Sequence, residues 1–131
     1  MKLIALLGVI TVLLLGHINA QEPTDVTLIQ LIANPDKFDG RLIRVIGFLR
    51  LEFEGNVLYL HREDYENAIL GNGIWVDVTP ALTMNYVLPE GVFSSGDRGH
   101  MGMWSGTIKQ VRRAEPWIPA KHTSISQKPS Q

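Results

Sequence analysis

Residues 42–60, LIRVIGFLRLEFEGNVLYL, restrict the fold more than any other stretch of the chain. Ile43, Val45, Leu49, Leu51 and Phe53 are apolar, and Arg44, Arg50 and Glu52 hold intervening positions. A period of two is the pattern of a strand with one buried face. Gly47 interrupts the apolar face midway. A glycine inside a strand pattern predicts a bulge or sharp bend, which lets one long strand join both halves of a small barrel. Glu54, Gly55 and Asn56 tolerate positive φ, so the chain is expected to turn there and return as a second strand. The remaining segments are expected to close a sheet around this hairpin.

Before the hairpin, the pattern predicts a helix over residues 26–33, capped by Thr24 or Asp25. It ends at Asn34, because a proline disfavours helical geometry in the residue before it. After the hairpin, residues 61–70 predict a second short helix. Glu63, Asp64 and Glu66 lie in its first turns, where the helix dipole favours negative charge, and Gly71 and Gly73 end it. Residues 74–78 alternate again, with Trp75 and Asp77 opposite Ile74, Val76 and Val78. Residues 79–85 form a connection. Residues 86–94 predict a fourth strand, in which Pro89 has no amide to donate and so requires an edge or a bulge. Residues 94–102, SSGDRGHMG, are a glycine-rich loop, and residues 103–112 a fifth strand. The polar segment 114–131 has little to bury and is expected to be a flexible tail.

The first twenty residues stand apart. Lys2 precedes an apolar run over residues 3–15, and Ala20 offers a small residue for cleavage. This is the layout of a secretory signal peptide. The run is shorter than the roughly 20 apolar residues a spanning helix needs, so no stable membrane anchor is expected after cleavage. Export, to the periplasm or beyond the cell, follows as the expectation. No cysteine follows the run to take a lipid, and none occurs anywhere in the chain. Disulfides, thiolate metal sites and a cysteine nucleophile are therefore excluded. Removing the leader leaves 111 residues, and without Lys2 the 12 basic side chains become 11 against 13 acidic, a net charge of −2. That balance offers no pull toward nucleic acid or anionic membrane. A domain of this size can bury about two thirds of its surface and needs no staple.

The phrases LIANPDKFDGRLIRVIGFL, LEFEGNVLYLHREDYENAI and GHMGMWSGTI resemble a family of uncharacterised exported bacterial proteins. The layout also resembles exported OB-fold-like domains, in which a helix precedes a strand of the form Tyr/Phe-Asp-Gly-x-x-x-x-Val-x-Gly. Here that pattern is Phe38-Asp39-Gly40 followed by Val45-Ile46-Gly47. The resemblance implies a mainly β fold with two short helices, a small five-stranded OB-like β-barrel over residues 21–113. It implies no activity, since a shared fold does not carry function. One departure stands out: the inner helix falls between strands two and three instead of three and four.

The glycine-rich loop holds the first candidate residues. Asp97, Arg98 and His100 supply an acid, a cation and a titratable ring, and in OB-like barrels the loop between strands four and five flanks the ligand face. Trp75 and Trp104 complete the set as stacking or contact surfaces. These five residues point to a non-catalytic binding module for a protein or a small polar ligand, with no cofactor. The alternative is a metal-dependent or hydrolytic enzyme built on His61, Asp64 and His100, whose nitrogen and oxygen atoms suit zinc. The spacing of those three matches no strong metal motif. No nucleophile elbow or phosphate loop is present. Binding of nucleic acid needs clustered Lys and Arg, and the near-neutral charge and expected export speak against it.

Overall fold

The alternating stretch forms two collinear strands, β2 (Leu42–Val45) and β3 (Gly47–Arg50). They belong to a computed structural model that describes residues 20–78 and 85–120. Ile43, Val45 and Leu49 point into the core, as the period of two requires. Both strands pair with one partner, β6 (Tyr86–Ser94): Leu42 faces Val92 and Arg44 faces Glu90, then Gly47 faces Val87 and Phe48 faces Tyr86. The register is the same on both sides of the interruption. Val45 and Ile46 stand opposite Pro89 and Leu88, and a proline has no N–H to give the ladder. The two strands are therefore one ribbon whose ladder lapses at a proline.

That geometry corrects the place of the interruption and decides between the two alternatives for Pro89. The interruption falls at Ile46, not at Gly47. Gly47 serves packing instead: a Cβ there would lie 2.6 Å from Leu58 Cγ, 2.8 Å from Leu28 Cδ1 and 2.9 Å from the Tyr59 carbonyl oxygen. Pro89 does not lie on an edge, because β6 pairs on both sides. The bulge expected near it does occur, as a register shift between Glu90 and Val92.

From the ribbon the sheet continues through β4 (Val57–Tyr59) and β5 (Gly73–Val76), both antiparallel to their predecessors. β5 then runs parallel to β7 (Thr107–Pro116), with Trp75 opposite Thr107 and Val76 opposite Ile108. β7 pairs antiparallel with β6 from Ser94–Thr107 to Val87–Pro116. The ring is closed, which leaves it no open edge. The result is a mainly β, five-stranded OB-like barrel. A short strand, β1 (Thr24–Val26), adds in parallel to β2 outside the ring. The fifth strand begins at Thr107 and not at Met103, and residues 114–116, assigned from sequence to the tail, are its end.

Leu58, Ile74, Val76, Val87, Phe93 and Ile108 fill the barrel with the ribbon's inward residues. The first helix, α1 (Leu28–Ala33), adds Leu28 and Leu31 to the same core. Six residues do not make a stable helix alone. It is held by those two leucines and by a reciprocal cap: Thr27 Oγ1 accepts the Gln30 N–H at 3.2 Å, and Gln30 Oε1 accepts the Thr27 N–H at 2.8 Å. The cap is thus Thr27, and Thr24 and Asp25, expected to cap it, belong to β1. The helix ends before Pro35 as expected. The second helix, α2 (Arg62–Glu66), is shorter than its pattern. Ala68 takes a positive φ of 55° and turns the chain out of helical geometry. No helix among the described residues is long and apolar enough to cross a membrane. The expected leader, apart from Ala20, and residues 121–131 of the expected tail lie outside the described residues.

Substituting Gly47→Ala forces Leu58, Leu28 or the Tyr59 carbonyl to move, and overpacking of this kind costs roughly 1–3 kcal/mol. The urea midpoint is expected to fall at unchanged m. Gly71→Ala, where a Cβ would meet nothing within 4 Å, serves as the control and leaves the midpoint in place.

Candidate functional site

The outward face of the ribbon and of β4 and β5 is aromatic. Phe48, Tyr59 and Trp75 stand on it, and Tyr86 on β6 packs edge-on against Phe48 with ring centroids 5.6 Å apart. In OB barrels this region commonly receives ligands. Here the chain covers it itself. α2 lays Tyr65 over Tyr59 and Phe48, at 5.8 and 6.4 Å between centroids. The loop between β6 and β7 lays Trp104 against Trp75 at 5.1 Å. The Arg50 guanidinium stacks 4.7 Å from the Tyr65 ring and that of Arg62 5.1 Å from Phe48. The Tyr65 hydroxyl donates to Glu52 Oε1 at 2.5 Å, and Arg50 Nε donates to the same oxygen at 2.7 Å. Those two donors hold the Glu52 carboxyl below its ordinary range, and the bond to Glu52 raises the Tyr65 hydroxyl.

Asp97 anchors the loop. Lys109 Nζ lies 2.7 Å from its Oδ2, its Oδ1 accepts the Gly99 N–H at 3.2 Å, and its carbonyl accepts the hydroxyl of buried Thr107 at 2.8 Å. The lysine first, and the Gly99 amide next, hold its carboxyl below the usual carboxylate range. Arg98 and Trp104 then clamp the loop shut: Arg98 Nε donates to the Trp104 carbonyl at 2.7 Å, and the Trp104 N–H donates to the Arg98 carbonyl at 3.2 Å. Gly99 lies flat on an indole. A Cβ there would come within 2.6 Å of Trp75 Cγ, and its φ is +64°. Five residues, 99–103, are thereby held as a rigid tip above the barrel.

The structure brings Trp75, Asp97, Arg98 and Trp104 together, with His100 at the edge of the group. Trp104 is only 3% exposed, its Nε1 without a hydrogen-bond partner. The polar contacts of Asp97 and the Nε–H of Arg98 are made within the loop and to β7. His100 Nε2 reaches Glu54 Oε2 at 3.6 Å, which joins the loop tip to the turn between β3 and β4. The set His61, Asp64 and His100 is not assembled. Asp64 is buried, with one oxygen accepting the His61 N–H at 2.8 Å and the other an Asn72 amide at 2.8 Å. Among the described residues no three His, Asp or Glu side chains are grouped to hold a metal ion.

Beside Arg98, which is exposed, this end also presents apolar groups to water. Phe53, expected on the inward face, is 95% exposed, because β3 ends at Arg50 and the alternation stops with it. Met101 is 82% and Met103 44% exposed. Met101 has a φ of +55° and lies between Gly99 and Gly102, both also left-handed. A non-glycine residue in that region costs of order 1–2 kcal/mol. A glycine would be cheaper, and the methionine side chain recovers little through packing. The available signal was two apolar residues, Met101 and Met103, inside a loop otherwise made of glycine and polar residues. A separate concavity of about 490 Å³ opens where the ribbon's ladder lapses, lined by Val26, Leu28, Ile29, Ile46, Tyr86 and Trp117 among others.

No family model, curated protein or solved structure matches the chain.

Because its carboxyl is depressed in the folded state, Asp97 contributes stability above the ordinary value of 3.8 and loses it as pH falls through the lower folded value. Asp97→Asn is expected to lower stability near pH 7 by about 0.5–1 kcal/mol, the scale of an exposed pair. In paired thermal melts the gap to the parent protein closes as pH drops below 3.8. Met101→Gly relieves the left-handed strain against a glycine entropy cost of about 0.5–1 kcal/mol. Its melting temperature should equal or exceed that of the parent, and a lower one would show that the side chain is held by packing.

Proposed function

We propose that the protein is an exported, non-catalytic binding module whose ligand seat is the loop end of the barrel, where Glu54 approaches His100 and Phe53, Met101 and Met103 are exposed. The leader pattern over residues 1–20 supports export to the periplasm or beyond, with no membrane anchor left after cleavage. The observation that carries the seat is Met101: a strained backbone on a clamped loop holds a thioether out in water. Strain retained without a packing return is a feature of functional sites.

The ligand is small. The exposed groups occupy one five-residue tip and one neighbouring turn, fewer residues than the roughly 20–30 a side of a standard protein interface. Nucleic acid is disfavoured by the near-neutral charge and by the aromatic layer, whose stacking surfaces are taken by Tyr65 and Trp104.

Native mass spectrometry tests this reading. Protein purified under mild conditions from cells expressing the full-length gene, then exposed to the small-solute fraction of the same cells, is expected to carry a single adduct in a 1:1 ratio. The triple variant His100→Ala, Met101→Ser, Met103→Ser should lack it. An adduct kept by the variant, or none on the parent, sinks the proposal.

A further inference from the structure

We infer that the ligand of this seat is a soft monovalent cation, Cu(I) or its stand-in Ag(I), held by the thioethers of Met101 and Met103 and an imidazole nitrogen of His100. The inference rests on the seat proposed above and names its ligand class.

Three donors lie within four consecutive residues. Residues 101 and 103 are two steps apart along the chain, so their Cα atoms are separated by at most about 7 Å. A methionine has enough rotatable bonds to bring its sulfur to a point shared by both. His100 and Met103 meet across the turn, where the Met103 N–H donates to the His100 carbonyl at 3.4 Å. The loop cannot open easily, because the reciprocal Arg98–Trp104 bonds close it and Gly99 lies on Trp75. The loop backbone is held closed while its donors stay accessible, which suits an ion that needs few ligands.

Donor chemistry selects the ion. A thioether is soft and uncharged, which suits Cu(I). Calcium and magnesium require several oxygen ligands; at this tip Glu54 supplies the carboxylate that adjoins His100. Zinc favours thiolate, imidazole and carboxylate in a set of four, and among the described residues no such group of His, Asp and Glu exists. The chain has no cysteine, so the thioethers are its softest donors and face no thiolate competition. The left-handed φ of Met101 fits the same account, because the position keeps a sulfur where glycine would relieve the backbone.

The test uses protein purified from cells expressing the full 131-residue sequence, stripped with a chelator, with its methionine methyls labelled with carbon-13. Titration with Ag(I) should shift the methyl signals of Met101 and Met103 and leave that of Met84 in place, with saturation at one equivalent. Cu(I), added anaerobically in competition with bicinchoninate, should bind at the same ratio. The double variant Met101→Leu, Met103→Leu keeps apolar side chains of similar size and removes both sulfurs. Its affinity should fall by more than the about 10–100-fold that loss of a supporting contact costs a metal site, with its thermal midpoint unchanged. No Ag(I) uptake by the parent, or equal uptake by the double leucine variant, overturns the inference. If silver fails while a loop-dependent adduct still appears by native mass spectrometry, the metal assignment falls and the binding module stands. If both fail, the seat itself is wrong.

Discussion

Pairing of the ribbon 42–50 with β6 in one unbroken register governs the rest of the structure. The same β6 must also pair with β7, and the ring closes only because both ladders hold at once. Closure in turn decides which loops meet. Val57 faces Trp75, and Trp75 faces Thr107. The turn that precedes Val57 and the loop that precedes Thr107 therefore leave the barrel at one end. The 3.6 Å approach of His100 to Glu54 is a consequence of strand order. A slip of one residue would turn the ribbon's inward face outward and separate the two loops. Pro89 removes one bond from this ladder without altering its register, so the ribbon can bend while its inward residues stay inward.

Much of this was legible in the sequence, for a local reason. Alternation at Ile43, Val45 and Leu49 names the inward face whatever the partner strand is. The fourth strand falls on residues 86–94 because a loop signal bounds it after Ser94. The misplaced features depend on distant partners. Gly47 and Pro89 are both strand interrupters by composition, and only the pairing reveals that the proline breaks the ladder while the glycine makes room for Leu58 and Leu28. Thr27 caps α1 because β1 occupies Thr24–Val26, and a three-residue strand has no pattern of its own. α2 ends early because Ala68 turns left-handed, a backbone property that no helix pattern records.

The candidate site divides the same way. The loop was visible as a loop, and its neighbourhood to Trp75 follows from the barrel. Which of its side chains would be buried was not visible. Trp104 disappears against Trp75, Asp97 stays partly exposed beside Lys109 and Gly99, and Arg98 stays exposed while its Nε–H bonds a carbonyl across the loop. Residue type had marked these as recognition groups. In the folded chain these groups also bond within the protein, and Met101 and Met103, apolar by type, are exposed beside Arg98.

That exchange has a physical logic. An OB-like barrel offers its aromatic strand face to ligands only while that face is open. Once Tyr65 and Trp104 cover it, the rings become the base on which a loop can be fixed. Buried aromatic pairs are worth about 0.5–1.5 kcal/mol beyond their area, comparable with the strain of one left-handed residue. The Trp75–Trp104 pair thus helps hold Met101 in a conformation that an unpinned loop would relax. A ligand that meets a loop already ordered gives up less of its binding energy to ordering it. The aromatic layer thus serves as a base: it fixes the tip on which His100, Met101 and Met103 stand.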